Sequence, residues 1–219
     1  MLSAFDRSGW LFLTLPSMTL HPARWKQFAG AATSPAVARA VATLARARQP
    51  VQGQSEHAVW HGIWSEHILE SLGLRSDDAV DFSHATMTLA LAPGRALARG
   101  IRRAGAAVCA SRLRQCIRGS EVRALKAAIG EEVYDWACSE ARGTALKVPG
   151  SAYADPREAC AEIDACGVAI LHRAFDTAAP EVGRRVQLKL PPLSPAPVAP
   201  TARDALDLAL AAMAGEPQP

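Results

Sequence analysis

Apolar side chains in the middle of the chain return at three- and four-residue steps: Ile101, Val108, Cys109, Leu113, Cys116 and Ile117, with Ala104 and Gly105 filling the turn between. That rhythm is one buried face of an α-helix. Arg95, Arg99, Arg102, Arg103, Arg112, Arg114 and Arg118 occupy its other faces, and Gly119 and Ser120 are expected to stop it. Ser120 is placed to cap a second helix with Glu121 in its first turn. Val122, Leu125 and Ile129 give that helix a short stripe, which Gly130 ends. Val133, Trp136, Ala137 and Glu140 start a third helix over 131–141. The pattern therefore centres the chain on one long basic helix followed by two short ones.

Upstream, the apolar run Trp10–Leu15 is broken by Pro16, and Pro22 suits the first turn of a short helix carrying Trp25 and Phe28. Ser34-Pro35 opens a helix lined by Val37, Val41 and Leu44 that ends near Arg48, and Gln49–Gln54 forms a polar turn. Ser55 caps an amphipathic helix whose pairs Val59/Trp60, Ile63/Trp64 and Ile68/Leu72 precede a stop at Gly73. Residues 78–93 leave helix and strand both open. Downstream, Lys147–Tyr153 is a loop, and Asp155-Pro156-Arg157-Glu158 begins a helix with the stripe Cys160, Ile163, Gly167, Ile170, Leu171 and Ala174. Val186, Leu188 and Leu190 alternate with Gln187 and Lys189, an extended period. Pro191–Pro200 holds five prolines and is expected to be a linker. Thr201 and Asp204 cap a last helix with Leu206, Ala209, Leu210 and Met213 on one side, either a docked end piece or a partner-binding peptide. The expected fold is all-α: one irregular multi-helix domain over 1–190 with little or no sheet, a linker over 191–200, and a short amphipathic helix and tail over 201–219.

Composition adds little to this except through its distribution. Of 219 residues, 49% are hydrophobic and 21% charged, ordinary for a globular chain large enough to bury a core. The net charge of +3 is mild, yet Arg95–Lys126 contains nine Arg or Lys against one acid, Glu121. The basic stretch is either a solvated helix face or a surface for an acidic partner. Trp10–Leu15 is too short for a signal sequence, Asp6 stands where a basic start would be, and five cysteines are an odd number. These features lead us to expect a cytoplasmic protein with free thiols.

Candidate chemistry is thin. His57 and His61 stand one helical turn apart, with His67 beyond, a spacing able to hold a metal, but Ala58 replaces the glutamate that a zinc-protease helix needs. Cys109/Cys116 and Cys160/Cys166 match neither a zinc pair nor a thioredoxin-type pair, and free cysteine is commonly a small core residue. The chain contains no G-x-S-x-G and no phosphate-binding glycine motif. Glu131/Glu132 and Asp77/Asp78 are read as acids at helix starts. Aromatics do not interleave with the arginines, and a helix-turn-helix over 112–141 would offer few side chains to base edges.

Three stretches carry a resemblance. Leu15-Pro-Ser-Met-Thr-Leu-His-Pro-Ala-Arg-Trp25 is similar to the N-terminal "P…HP" segment of the SctK/YscK-like accessory proteins of bacterial type III secretion systems. Arg123–Ala137 resembles that family's "R-x-L…G-x-x-x-x-x-x-A" stretch, and Arg185-Val-Gln-Leu-Lys-Leu-Pro191 its closing "R-x-x-L-K-L-P". The resemblance spans most of residues 12–191 and leaves the Pro-rich segment and the last helix outside. It implies a non-enzymatic cytosolic adaptor at the base of the injectisome, peripheral to the inner membrane. Such an adaptor joins the cytoplasmic domain of an inner-membrane ring protein to the C-ring protein of the sorting platform, which carries the stator and ATPase. No catalytic residue, cofactor or metal comes with it. Arg99, Arg102, Arg103, Arg112, Arg114 and Arg118 are the candidate docking residues for an acidic partner. The alternative is a basic helical nucleic-acid-binding protein using the same arginines, whose duplex binding would weaken steeply with salt.

Overall fold

The computed structural model describes residues 4–25, 27–28, 35, 39, 56–139 and 146–214. The stripe Val37, Val41 and Leu44, the turn over Gln49–Gln54, the Ser55 cap, the side chains of His57 and Val59, and Glu140 lie outside the described residues. Every regular element among the described residues is helical, so the fold is all-α. The helices are α1 (Ala4–Thr14), α2 (Glu56–Ser71), α3 (Thr86–Leu91), α4 (Gly94–Leu113), α5 (Gly119–Ile129), α6 (Glu131–Ser139), α7 (Pro156–Ala174), α8 (Pro180–Lys189) and α9 (Ala202–Met213). Single 3-10 turns occupy Pro16–Met18, Pro22–Arg24 and Phe175–Thr177. The chain gathers into two compact units, one within 1–83 and 179–192, the other within 84–178 and 193–218. Among the described residues no helix is long and apolar enough to cross a membrane.

The second unit is built on α4, which packs against α6, α7 and α9. Its middle is small on nearly every side: Ala104, Gly105, Ala106, Ala107, Cys109 and Ala110 are all buried. The crossing with α7 requires this, because a β-carbon on Gly105 would overlap the Ile163 carbonyl, and one on Gly167 would overlap that of Ile101. Gly100 likewise leaves room for the Met213 thioether of α9. α5 packs on α6 and α7 and ends at Gly130, whose φ of 98° is the left-handed backbone that glycine accepts without strain.

Several expectations need correction in this unit. α4 ends at Leu113 and does not run on to Arg118. The bonds Gln115 N–H to Arg112 O and Cys116 N–H to Leu113 O tighten the chain into a turn, which buries Cys116 and leaves Ile117 87% exposed. Gly119 and Ser120 start α5 instead of stopping α4, with Arg118 as the N-cap in extended conformation and no side-chain cap. On α7 the buried position is Ala159, and Cys160 is half-buried, whereas Asp155 caps the helix by accepting from the Arg157 N–H at 2.8 Å as expected. The segment left open over 78–93 contains the buried helix α3. α9 docks on α4 and α7 through Ala205, Leu208, Ala209, Ala212 and Met213, while Leu206 and Leu210 are only half-buried. The face is rotated because alanines, too weakly hydrophobic to mark a stripe in sequence, fill the contact.

In the first unit Trp64 and Ile68 of α2 form a core with Leu20, Phe28 and Leu188. Trp25 and Trp64 meet edge-on at 4.8 Å between ring centres, and Trp60 lies 4.6 Å from Trp64. The α2 helix closes as foreseen at Gly73 (φ 62°), where Leu74 N–H reaches Leu69 O and Gly73 N–H reaches Glu70 O, a Schellman end. Of residues 186–190, expected to be extended, 186–189 belong to helix α8 and only Leu190, just past its end, is extended. Val182, Arg185, Val186 and Lys189 bury one helical face, and Leu188 and Leu190 are buried as well, so a helix enclosed on more than one side imitates the alternation of a strand. Asp77 and Asp78 are not at a helix start but in the turn after α2, where they bind arginine.

Candidate partner-docking surface

Each candidate arginine has a definite place. Arg102 reaches from α4 to Asp164 of α7 at 3.2 Å, both side chains a little under half exposed. The hydrogen bonds that Arg102 donates to that carboxylate raise the pKa of its guanidinium above the ordinary value. Arg103 binds Glu132 of α6 and donates to Ala212 O at 3.2 Å and Ala214 O at 3.3 Å. It thereby supplies a cation to the unpaired carbonyls at the C-terminal end of α9. Arg112 pairs with Glu162, lies 3.7 Å from Glu158, donates to Ser151 O at 2.8 Å and stacks 3.9 Å from the Tyr153 ring centre. These three are internal clamps: Arg103 and Arg112 keep only 14% and 12% of their side chains exposed.

The remaining arginines face outward. Arg99 lies on the exposed side of α4. Arg114 donates to Ala137 O at 3.5 Å, and Arg118 lies 3.4 Å from Glu121, its side chain 81% exposed. Arg123 of α5 is also exposed, and its guanidinium sits over Gly119. The six arginines that look like one basic stripe in sequence thus divide into a structural group and a surface group. Sequence reasoning missed Ile117 as a surface residue because it fell in register with the buried stripe. No glycine, proline, asparagine, aspartate or serine lies between Arg112 and Arg118 to signal the turn.

His61 and the buried cysteines take structural positions. His61 Nδ1 is 2.9 Å from Ser17 Oγ, which also lies 2.7 Å from Ser65 Oγ, tying α2 to the Pro16–Met18 turn. His67 is exposed. Among the described residues no three His, Cys, Asp or Glu side chains gather as a metal site would require. The spatial neighbours among the thiols are Cys109 and Cys166, across the α4–α7 crossing, not the pairs adjacent in sequence. Their mutual hydrogen bond, and then burial, push the Cys166 thiol above its ordinary range, so it stays protonated. Burial also raises the Tyr134 hydroxyl to about 12, consistent with its donating to Leu113 O at the end of α4.

Two of the three stretches that carried the resemblance meet in the first unit. His21 N–H donates to Leu188 O at 2.8 Å, and Arg24 Nε to Leu190 O at 2.8 Å. The third stretch spans α5 and α6 in the second unit. Arg185, which opens the closing stretch, is fully buried: it pairs with Asp78 at 3.0 Å, binds Arg75 O and donates to Glu181 O at 3.3 Å. These residues are thereby accounted for as packing and hydrogen bonding within one unit.

The chain matches the family model described as YOP proteins translocation protein K (YscK) over residues 58–218. Among solved structures it is similar to the cytoplasmic domain of the T3SS sorting platform protein PscK from P. aeruginosa, with 22% identity, a TM-score of 0.52, and coverage of 94% of this chain and 92% of that one. No curated protein matches. The family match takes in the Pro-rich segment and α9, which the resemblance had placed outside, and starts beyond Leu15–Trp25.

Proposed function

Because this chain belongs to the YscK family, we propose that it is a structural adaptor of the sorting platform of a bacterial type III secretion system, acting in the cytoplasm at the inner membrane. In this reading it joins the cytoplasmic domain of the inner-membrane ring protein to the C-ring protein, and works by surface complementarity without catalysing a reaction. The observation that carries the proposal is the family match over 58–218. The all-α fold shared with the cytoplasmic domain of PscK supports it.

The duplex-binding alternative draws on the same six arginines, and its footing is weaker, since Arg102, Arg103 and Arg112 already face carboxylates. Phosphate contacts would have to come from the outward group alone. The adaptor reading is tested by co-expressing the full chain with the C-ring protein of the same system, and separately with the ring protein's cytoplasmic domain. Size-exclusion chromatography with light scattering then reads the mass. A complex of defined mass with either is the expected result. Separate elution from both, at low salt and micromolar concentration, refutes it.

A further inference from the structure

The turn between α4 and α5 holds an apolar side chain out into water. Ile117 is 87% exposed, more than any other large hydrophobic among the described residues. Each of the three residues before it, the exposed Arg114 and Gln115 and the buried Cys116, holds a hydrogen bond to the rest of the unit. Arg114 donates to Ala137 O at 3.5 Å, Gln115 Nε2 to Gly150 O at 3.4 Å, and the Cys116 thiol to Arg112 O at 3.7 Å and Tyr153 O at 3.9 Å. Ile117 is therefore presented by a fixed turn, and a partner that covers it does not first have to order the loop. Arg114 and Arg118 flank it along the chain, the Arg123 guanidinium lies over Gly119 two residues on, and Glu121 is the lone carboxylate in the sequence between Arg112 and Ala128.

We infer that Ile117 is the anchor of a docking knob, rimmed by Arg114, Arg118 and Arg123, that inserts into an apolar hollow edged with carboxylates on a protein partner. The inference rests on the adaptor reading and names the surface through which it acts. The charge pattern selects an acidic partner, because a basic rim would face three cations with one carboxylate to offset them. The isoleucine selects a protein over a nucleic acid, since a phosphate backbone offers an aliphatic side chain nothing to bury against. A single aliphatic anchor is also small for holding a chain on a lipid surface, which takes a whole apolar helix face or two acyl chains. An apolar centre with a charged rim is the arrangement in which one residue carries much of an interface's affinity.

The test uses the full-length chain as wild type, I117D and R114E/R118E, titrated by calorimetry against the C-ring protein and, separately, the ring protein's cytoplasmic domain. Melting temperatures serve as the folding control. For the partner that uses the knob, I117D is expected to raise Kd at least roughly tenfold with an unchanged melting temperature. R114E/R118E is expected to weaken binding most at low salt. If wild type binds and I117D binds equally well to both proteins, the knob is overturned and the adaptor reading stands. If wild type binds neither, both fall. Co-sedimentation with phosphatidylserine vesicles that I117D abolishes, with protein binding unaltered, assigns the knob to lipid and also overturns the proposal.

Discussion

Between Gly100 and Arg112 the arginines of α4 hold the second unit together, whereas from Arg114 to Arg123, a single turn further on, they lie at its surface. The residue type is the same in both stretches. What differs is what stands opposite: Asp164, Glu132 and Glu162 and the end of α9 in the first, solvent, the Ala137 carbonyl and one local glutamate in the second. A run of positive charge is thus a poor guide to an interface until its internal partners are known. A half-buried guanidinium with a carboxylate across from it is committed, and its reversal would report on folding. Reversing Arg102, Arg103 and Arg114 together, as a basic docking face would suggest, mixes the two groups and would be uninterpretable.

The inner stretch breaks most completely beneath its arginines. Gly105→Val puts two methyl groups where the Ile163 backbone already lies, and neither helix has a flexible side chain there to move aside. We expect a loss of about 3–5 kcal/mol, or failure to fold, at the upper end of single substitutions. Urea denaturation followed by circular dichroism measures it. A loss under about 1 kcal/mol would mean that the α4–α7 crossing is not set by these glycines.

Next in size is the clamp at Arg112. Arg112→Met leaves Glu162, with 17% of its side chain exposed, beside the Tyr153 ring without its cation. The expected cost is about 2–3 kcal/mol, below the range for breaking a fully buried pair because some water reaches both groups. The double variant R112M/E162M should recover most of that loss, since it is the stranded carboxylate that costs. Equal instability of the single and double variants would show that Arg112 matters through its aliphatic packing and its bond to Ser151 O. The same cycle at Arg102 and Asp164, both more than 40% exposed, should give no more than about 1 kcal/mol.

How far the sequence revealed this division can be followed residue by residue. Helix periods located α2, α4, α5, α6 and α7, and glycine chemistry marked the ends at Gly73 and Gly130. Those signals are local, set by caps and by the 3.6-residue repeat. The arginine partners were hidden because Glu132 and Asp164 lie 29 and 62 residues from the groups they bind. Ile117 was misplaced for the opposite reason: a stripe in perfect register continued past the turn that had already ended the helix. The alanine contacts of α9 and the enclosed helix α8 were misread because periodicity needs contrast. Alanine supplies too little, and a helix buried on several sides supplies none.

A buried cation in the first unit extends the comparison. Lys189 is 9% exposed, its ammonium 5.9 Å from the Phe12 ring centre, and burial pulls its pKa down to about 8. The folded value lies below the ordinary 10.5, so the unfolded chain holds the proton more tightly. The charged form therefore costs stability at all pH values below about 8, and the cost is relieved as pH rises from about 8 toward 10.5. Lys189→Met keeps the stem and removes the charge. Between about pH 8 and 10.5 the stability of the wild type relative to this variant should rise, as the cost of the buried charge is relieved. The difference between the two proteins across that range isolates this group from the cysteines and tyrosines that titrate nearby. A difference independent of pH would mean that folding does not move the Lys189 titration.

The smallest effect on folding belongs to the outer stretch, and there its smallness is the point. Arg118→Glu removes a pair with Glu121 whose arginine is 81% exposed, and adds an acid at the N-cap of α5 to the one in its first turn, an end where the helix dipole favours negative charge. Loss of an exposed ion pair and gain of a favourable terminus nearly cancel, so stability should move by less than about 0.5 kcal/mol. Raising the salt concentration should narrow even that, because both contributions are screened. Binding to an acidic partner would respond to the same substitution through charge alone, with its largest change at low salt. A variant that keeps its melting temperature while losing salt-dependent affinity separates the surface arginines from the clamps. One that melts several degrees lower would place Arg118 among the clamps.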